Sequence, residues 1–153
     1  MRKSDKRNAT ATSDDKLENR KLRLAILGAG GIARKMAETV NQMEEVELYA
    51  VASRTEEKAR QFADTYHTSK WYGSYEEMVV DDGINLVYVA TPHSHHKEHT
   101  MLCLNHNRAV LCEKAFAVNT KEAEDMIRLA KEKNILLAEA MWVRYMPMSF
   151  TLK

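Results

Sequence analysis

From Lys21 to Ala140 the chain alternates between short, almost wholly apolar runs and stretches that are apolar only at every third or fourth position. Leu22–Leu27 (LRLAIL) is long enough for a strand and too short for a helix, and Gly28 ends it. Ile32, Met36, Val40 and Met43 then recur at helical spacing and predict one buried helix face. Glu47–Ala52 (ELYAVA) reads as a second strand, and Thr55 followed by Glu56 and Glu57 opens a second helix, since carboxylates suit its positive end. Ser74 with Glu77 forms a capping box for a short helix through Val80. Ile84–Ala90 (INLVYVA) is a β-branched strand ended by Thr91-Pro92, and a helix follows to about His106. Ala109–Glu113 is the next strand. Asn119 and Glu122 cap a further helix, with Ala123, Met126, Ile127 and Ala130 as its apolar stripe. Asn134 breaks that helix before a last strand, Ile135–Ala140.

Apolar strands alternating with helices predict a parallel sheet covered on both faces. The expected fold is therefore α/β, a doubly wound parallel sheet over residues 21–140. Residues 1–20 are polar and mildly basic, with no apolar core for a secretory signal, and are expected to be a disordered tail. Residues 141–153 are expected to begin a second domain that is cut short.

Composition adds few constraints. Lys plus Arg number 23 and Asp plus Glu 22, a net charge of +1 that gives no reason to expect a nucleic acid or membrane partner. Cys103 and Cys112 sit in apolar surroundings on different predicted elements, which points to free buried thiols in a reducing compartment and a cytoplasmic protein.

Gly28-Ala29-Gly30-Gly31-Ile32-Ala33 matches G-x-G-x-x-G/A directly after a strand and at the start of a helix, the setting a dinucleotide fingerprint requires. Gly28 would permit the turn, Gly30 would let the backbone approach a pyrophosphate, and Ala33 would allow close helix–strand packing. Helix-start N–H groups would face the anion. After the second strand, an acidic residue would favour the ribose 2′-hydroxyl of NAD. Here stand Ser53 and Arg54, a hydroxyl and a guanidinium suited to the 2′-phosphate of NADP, so NADP is expected ahead of NAD. The alternative is that Arg54 is simply a solvated helix-start residue. His93, His95, His96 and His99 form a group, but no third ligand stands at a familiar zinc spacing. No metal is expected, and one of these histidines is read as ordering the loop beside the cofactor. Glu113 and Lys114 end a strand at the edge where a parallel sheet forms its ligand crevice. A lysine there could stabilise developing charge on a substrate oxygen, with its pKa lowered by burial. The competing reading is a Glu113–Lys114 capping salt bridge.

GAGGIA, ASR, TPHSHH and CEK, in that order, resemble the N-terminal half of the glucose–fructose oxidoreductase / inositol dehydrogenase (Gfo/Idh/MocA) family over residues 21–148. The AEAMWVRYMP segment is similar to the branch holding dihydrodiol and xylose dehydrogenases. The resemblance implies that Gly28, Gly30, Ile32 and Ala33 hold the pyrophosphate and that Ser53 and Arg54 meet the adenosine ribose. It implies that Thr91, Pro92 and His96 form a loop near the cofactor, and that Glu113 and Lys114 reach the nicotinamide, with Lys114 catalytic. Trp142 and Arg144 would stand on the substrate side.

Two departures from that pattern bear on function. The family's Glu-Lys-Pro reads Glu113-Lys114-Ala115 here, which should leave the backbone presenting the lysine less constrained. The family's substrate domain would begin near Pro147, just before the last residue, Lys153. Two functions follow: hydride transfer between NADP and a sugar, polyol or dihydrodiol, or a nucleotide-binding fragment without catalysis. The apolar residues of the C-terminal stretch, Met141, Trp142, Tyr145, Met146, Met148, Phe150 and Leu152, would be sticky if exposed, so self-association is expected.

Overall fold

The structure, a computed structural model, describes residues 21–141. Among the described residues there are six strands: β1 (Leu22–Leu27), β2 (Val46–Ala52), β3 (Lys70–Tyr72), β4 (Leu86–Val89), β5 (Ala109–Glu113) and β6 (Leu137–Ala140). They make one parallel sheet in the order β3-β2-β1-β4-β5-β6. Five α-helices connect them: α1 (Gly31–Val40), α2 (Glu56–Tyr66), α3 (Tyr75–Val79), α4 (His96–Asn105) and α5 (Thr120–Lys133), with a 3-10 turn at His93–His95 ahead of α4. The chain order reverses between β1 and β4, so the ends of these two strands open a crevice at the C-terminal edge of the sheet.

The sheet is apolar on both faces, as parallel sheets must be. One face packs Leu24, Ile26, Leu48 and Val51 against Ala33, Ala37 and Val40 of α1 and Phe62 of α2. The other packs Ala25, Leu27, Val87, Val89, Val110 and Cys112 against Met78, Leu104 and Met126. Both cysteines are buried and unbridged, and burial pushes the Cys103 thiol up to about 12 and the Cys112 thiol up to about 11. Among the described residues no helix is long and apolar enough to cross a membrane.

The predicted elements form, with informative shifts. In α1 the period is right but the phase is not: the buried stripe is Ala33, Ala37 and Val40, whereas Ile32 is 37% exposed. Met43 lies beyond the helix end and is 45% exposed. Small alanines let the helix lie close against the sheet, and the bulkier Ile32 and Met36 are turned to the flanks. In α5 the buried positions are Met126 and Ala130, while Ile127 turns outward. The strands at Ile84 and Ile135 start later than their apolar runs, at Leu86 and Leu137.

Strand β3 was not legible, because Lys70-Trp71-Tyr72 is three residues long and faces solvent on its outer edge. Its place is set by a partly buried polar anchor. Asp81 takes Lys70 Nζ at 2.8 Å, the Tyr72 hydroxyl at 2.6 Å and the Gly83 N–H at 2.9 Å. Burial disfavours the Asp81 charge, but these bonds outweigh it and hold the carboxyl well below the usual carboxylate range. Asp81→Asn is expected to cost about 2 kcal/mol, the scale of hydrogen bonds to a charged group. A depressed native pKa stabilises above the unfolded value, so the deficit should be constant from neutral pH down to about 5 and shrink below about 4. Urea unfolding of both proteins across that range checks it.

Candidate cofactor site

The turn after β1 is shaped by its neighbours. Gly28 has φ +103°, and its N–H donates to Ala52 O at 2.9 Å. A Cβ there would lie 2.9 Å from Thr91 Cγ2 and 3.2 Å from the Ala90 carbonyl carbon, so the fold itself requires glycine. Gly30 is different: the nearest atom a Cβ would meet is Ala90 O, at 3.9 Å. Among the described residues nothing demands a bare backbone at Gly30, which is what close approach by an outside group would need.

Gly30 also starts α1, with no side-chain cap and no acidic residue in the first turn. Helices α3 and α5 are closed off instead, by Ser74 Oγ accepting from Glu77 N–H and Asn119 Oδ1 accepting from Glu122 N–H. The first N–H groups of α1, like those of α2 and α4, have no side-chain cap. Ala33 is fully buried against the sheet.

A cleft of about 690 Å³ opens beneath this loop. Gly28, Ala29 and Gly30 form one wall, and Ser53 and Arg54 from the end of β2 form the next. Ser53 is buried and donates its N–H to Tyr72 O at 3.2 Å. Arg54, just before the N-cap of α2, and Lys58, in its first turn, are exposed at the rim and give the cleft two cations there, with Glu98 also among its lining residues. Thr91 and Pro92 close the far side with His99, whose Nδ1 lies 2.9 Å from Thr91 Oγ1 and whose ring meets Tyr75 edge-on at 4.7 Å. Burial pushes the His99 imidazole below its ordinary value, so it is neutral at neutral pH. Lys58 and Tyr75 were not singled out from sequence, and His99 was named only as one of four grouped histidines. Lys58 could have been, because it stands four residues after Arg54 at the start of α2.

A second cleft, of about 380 Å³, lies on the other flank of α1, between Ile32, Lys35, Met36 and Thr39 and the sheet residues Tyr88 and Glu113. Glu113 is buried, as its position at the end of β5 implies, but it makes no salt bridge with Lys114. Its Oε1 accepts from the Tyr88 hydroxyl and its Oε2 accepts from the backbone N–H of Lys114, at 3.0 Å. Burial, reinforced by that bond, pushes the Tyr88 phenol far up, so it remains a donor. The Lys114 side chain is exposed, contrary to the buried lysine expected, because the chain turns outward directly after β5.

His96 is almost fully buried and bridges two loops. Nδ1 lies 2.8 Å from Ala115 O and Nε2 lies 2.8 Å from Thr91 O. Carbonyls only accept, so the ring holds both when both nitrogens carry protons and one at a time otherwise. The Lys114–Ala115 peptide is cis, and the Phe116 N–H donates to Glu139 Oε1 at 3.1 Å. His96 thus sits behind the loop and does not line the large cleft. His93 and His95 are exposed, and among the described residues no group of three side chains is placed to hold a metal ion. Trp142 and Arg144, with the rest of the apolar C-terminal stretch after Met141, lie outside the described residues, as do residues 1–20.

The chain is 40% identical over 144 residues to the D-xylose 1-dehydrogenase (NADP(+)) of Hypocrea jecorina, covering 86% of this chain and 37% of that protein. It is 38% identical over 128 residues to the trans-1,2-dihydrobenzene-1,2-diol dehydrogenase of Mus musculus, covering 82% of this chain and 38% of the relative. It thus spans well under half the length of the curated relatives it matches. A 3-ketoreductase from Actinomadura kijaniata, solved in complex with NADP, superposes with a TM-score of 0.83 at 25% identity, over 87% of this chain and 42% of that one. Residues 22–141 match the oxidoreductase family with an NAD-binding Rossmann fold, Gfo/Idh/MocA, and the chain belongs to that family.

Proposed function

We propose that this chain binds NADP in preference to NAD and forms the cofactor half of an oxidoreductase acting on a sugar, polyol or dihydrodiol. The observation that carries the reading is the lip of the large cleft, where Arg54 and Lys58 stand exposed beside buried Ser53. The loop leading into the uncapped start of α1 forms one wall of that cleft. A dinucleotide laid across it has its pyrophosphate on the helix-start N–H groups at Gly30, Ile32 and Ala33. Its 2′-phosphate then meets the guanidinium of Arg54 and the ammonium of Lys58, both charge-assisted contacts. Thr91 and Pro92 bound the same cleft, and His96 holds the loop behind it. The cofactor supplies the hydride chemistry, and the protein's part is binding and orientation.

Lys114 and Glu113 leave β5 at the same edge of the sheet. An exposed ammonium at this edge is available to a substrate hydroxyl, where it can stabilise charge and assist proton movement. Trp142 and Arg144, which follow β6, belong in this reading on the substrate side. Relatives of both names above act on hydroxylated small molecules, in keeping with that substrate class.

A second reading has its own support. The chain covers 37% of the xylose dehydrogenase's length, and catalysis needs the substrate held within about 3–3.5 Å of the reacting atom. On that reading it is a nucleotide-binding domain that does not turn over alone. Incubating the chain with NADP⁺ and D-xylose, an inositol or a dihydrodiol, and following reduced nicotinamide by absorbance, separates the two. Turnover abolished by Lys114→Met supports the first reading; cofactor binding without turnover on any substrate supports the second.

A further inference from the structure

The dipeptide Lys114-Ala115 is gripped from both sides by strand β4 and the loop after it. On one side, the Lys114 N–H donates to Glu113 Oε2 at 3.0 Å, and Glu113 Oε1 is itself fixed by the hydroxyl of Tyr88, in the middle of the sheet. On the other side, Ala115 O lies 2.8 Å from His96 Nδ1, and the Nε2 of the same ring lies 2.8 Å from Thr91 O, so a ring protonated on both nitrogens ties the two carbonyls together and a ring protonated on Nδ1 alone holds Ala115. Tyr88 is 1% exposed, His96 1% and Glu113 6%, so the anchors are shielded from competing water. Tyr88 and Thr91 stand three residues apart across the end of β4. Where the family resemblance places a proline, whose ring fixes φ, this chain has Ala115.

We propose that Tyr88 and His96 are positioning residues for Lys114, holding its backbone through Glu113 and through the Ala115 carbonyl. The consequence for chemistry rests on the proposed role of Lys114, but the restraint itself does not.

Amide hydrogen exchange of the full ¹⁵N-labelled chain, read by NMR without cofactor, tests the restraint. The Lys114 and Phe116 N–H groups report on the loop, and Val110 and Ala90, bonded within the sheet, report on the fold. Tyr88→Phe removes only the hydroxyl, and should speed Lys114 exchange about tenfold or more relative to Val110 and Ala90. The amide nitrogen of Asn falls near the Nδ1 position of histidine and that of Gln near the Nε2 position. His96→Asn, which keeps the donor to Ala115, should therefore leave Lys114 and Phe116 close to wild type relative to the sheet amides. His96→Gln, which keeps only the donor to Thr91, should speed them about tenfold. A merely structural role predicts equal effects of Asn and Gln at this position.

Loop amides that move no more than sheet amides in Tyr88→Phe, or equal Asn and Gln effects, would overturn the proposal. A variant too unstable to show separate loop and sheet rates would count against it too, since the side chain would then be holding the fold as a whole. NADPH titration of the wild type reads the proposed function separately: absence of binding would sink that reading and leave the exchange result standing.

Discussion

Gly28→Ala is expected to lower the unfolding free energy by about 3 kcal/mol, the sum of a left-handed backbone strain and an overpacked contact. Its φ of +103° is one that side chains rarely adopt, and the new Cβ would press on Thr91 Cγ2 at 2.9 Å and on Ala90 and Thr91 backbone at 3.2 Å. None of these backbone atoms can give way without moving the end of β4. Gly30→Ala should behave in the opposite manner. Its Cβ meets nothing closer than 3.9 Å, so stability should change by no more than about 1 kcal/mol, the scale of a helix N-cap change. Dinucleotide affinity, in contrast, should fall at least about tenfold, because the methyl occupies the surface on which the pyrophosphate is proposed to rest. Urea unfolding and cofactor titration on the two variants separate a glycine needed by the fold from one needed by a ligand. Equal stability losses would remove that distinction.

The second large effect concerns the choice of cofactor. Arg54→Ala is expected to weaken NADPH binding about 10- to 100-fold, since a hydrogen bond to a charged group contributes about 1.5–3 kcal/mol. NADH lacks the 2′-phosphate and should bind the variant about as it binds the parent. Lys58→Ala should act in the same direction more weakly, as a flexible point charge at an exposed rim screened by salt. The double variant Arg54→Ala/Lys58→Ala should bind the two cofactors with similar affinity. An equal loss for both would place these side chains elsewhere than at the 2′-phosphate.

Much of this architecture was legible because parallel strands buried on both faces leave continuous apolar runs, and because Ser74 and Asn119 mark their helix starts. The glycine loop was legible for the same reason: its spacing reports a turn and a close approach at once. What the sequence hid was side-chain direction. Helical periodicity at Ile32, Met36 and Met43 finds a helix, but the close packing of Ala33 and Ala37 decides which face is buried. Three-residue β3 carries no apolar period, and its position depends on a distant carboxylate, Asp81. At Glu113 and Lys114 the adjacent charges suggested an ion pair, yet the carboxylate binds the lysine's backbone and a tyrosine 25 positions away. The histidines were the least legible group, since His96 and His93 have the same chemistry and only tertiary contact distinguishes a buried bridge from a solvated side chain.

The cleft beneath the glycine loop is proposed to take NADP. Isothermal titration of the purified chain with NADPH, and in parallel with NADH at the same ionic strength, tests it most directly. One-to-one binding of NADPH at least about tenfold tighter than NADH is the predicted result. No binding of either cofactor, or tighter binding of NADH, would contradict it.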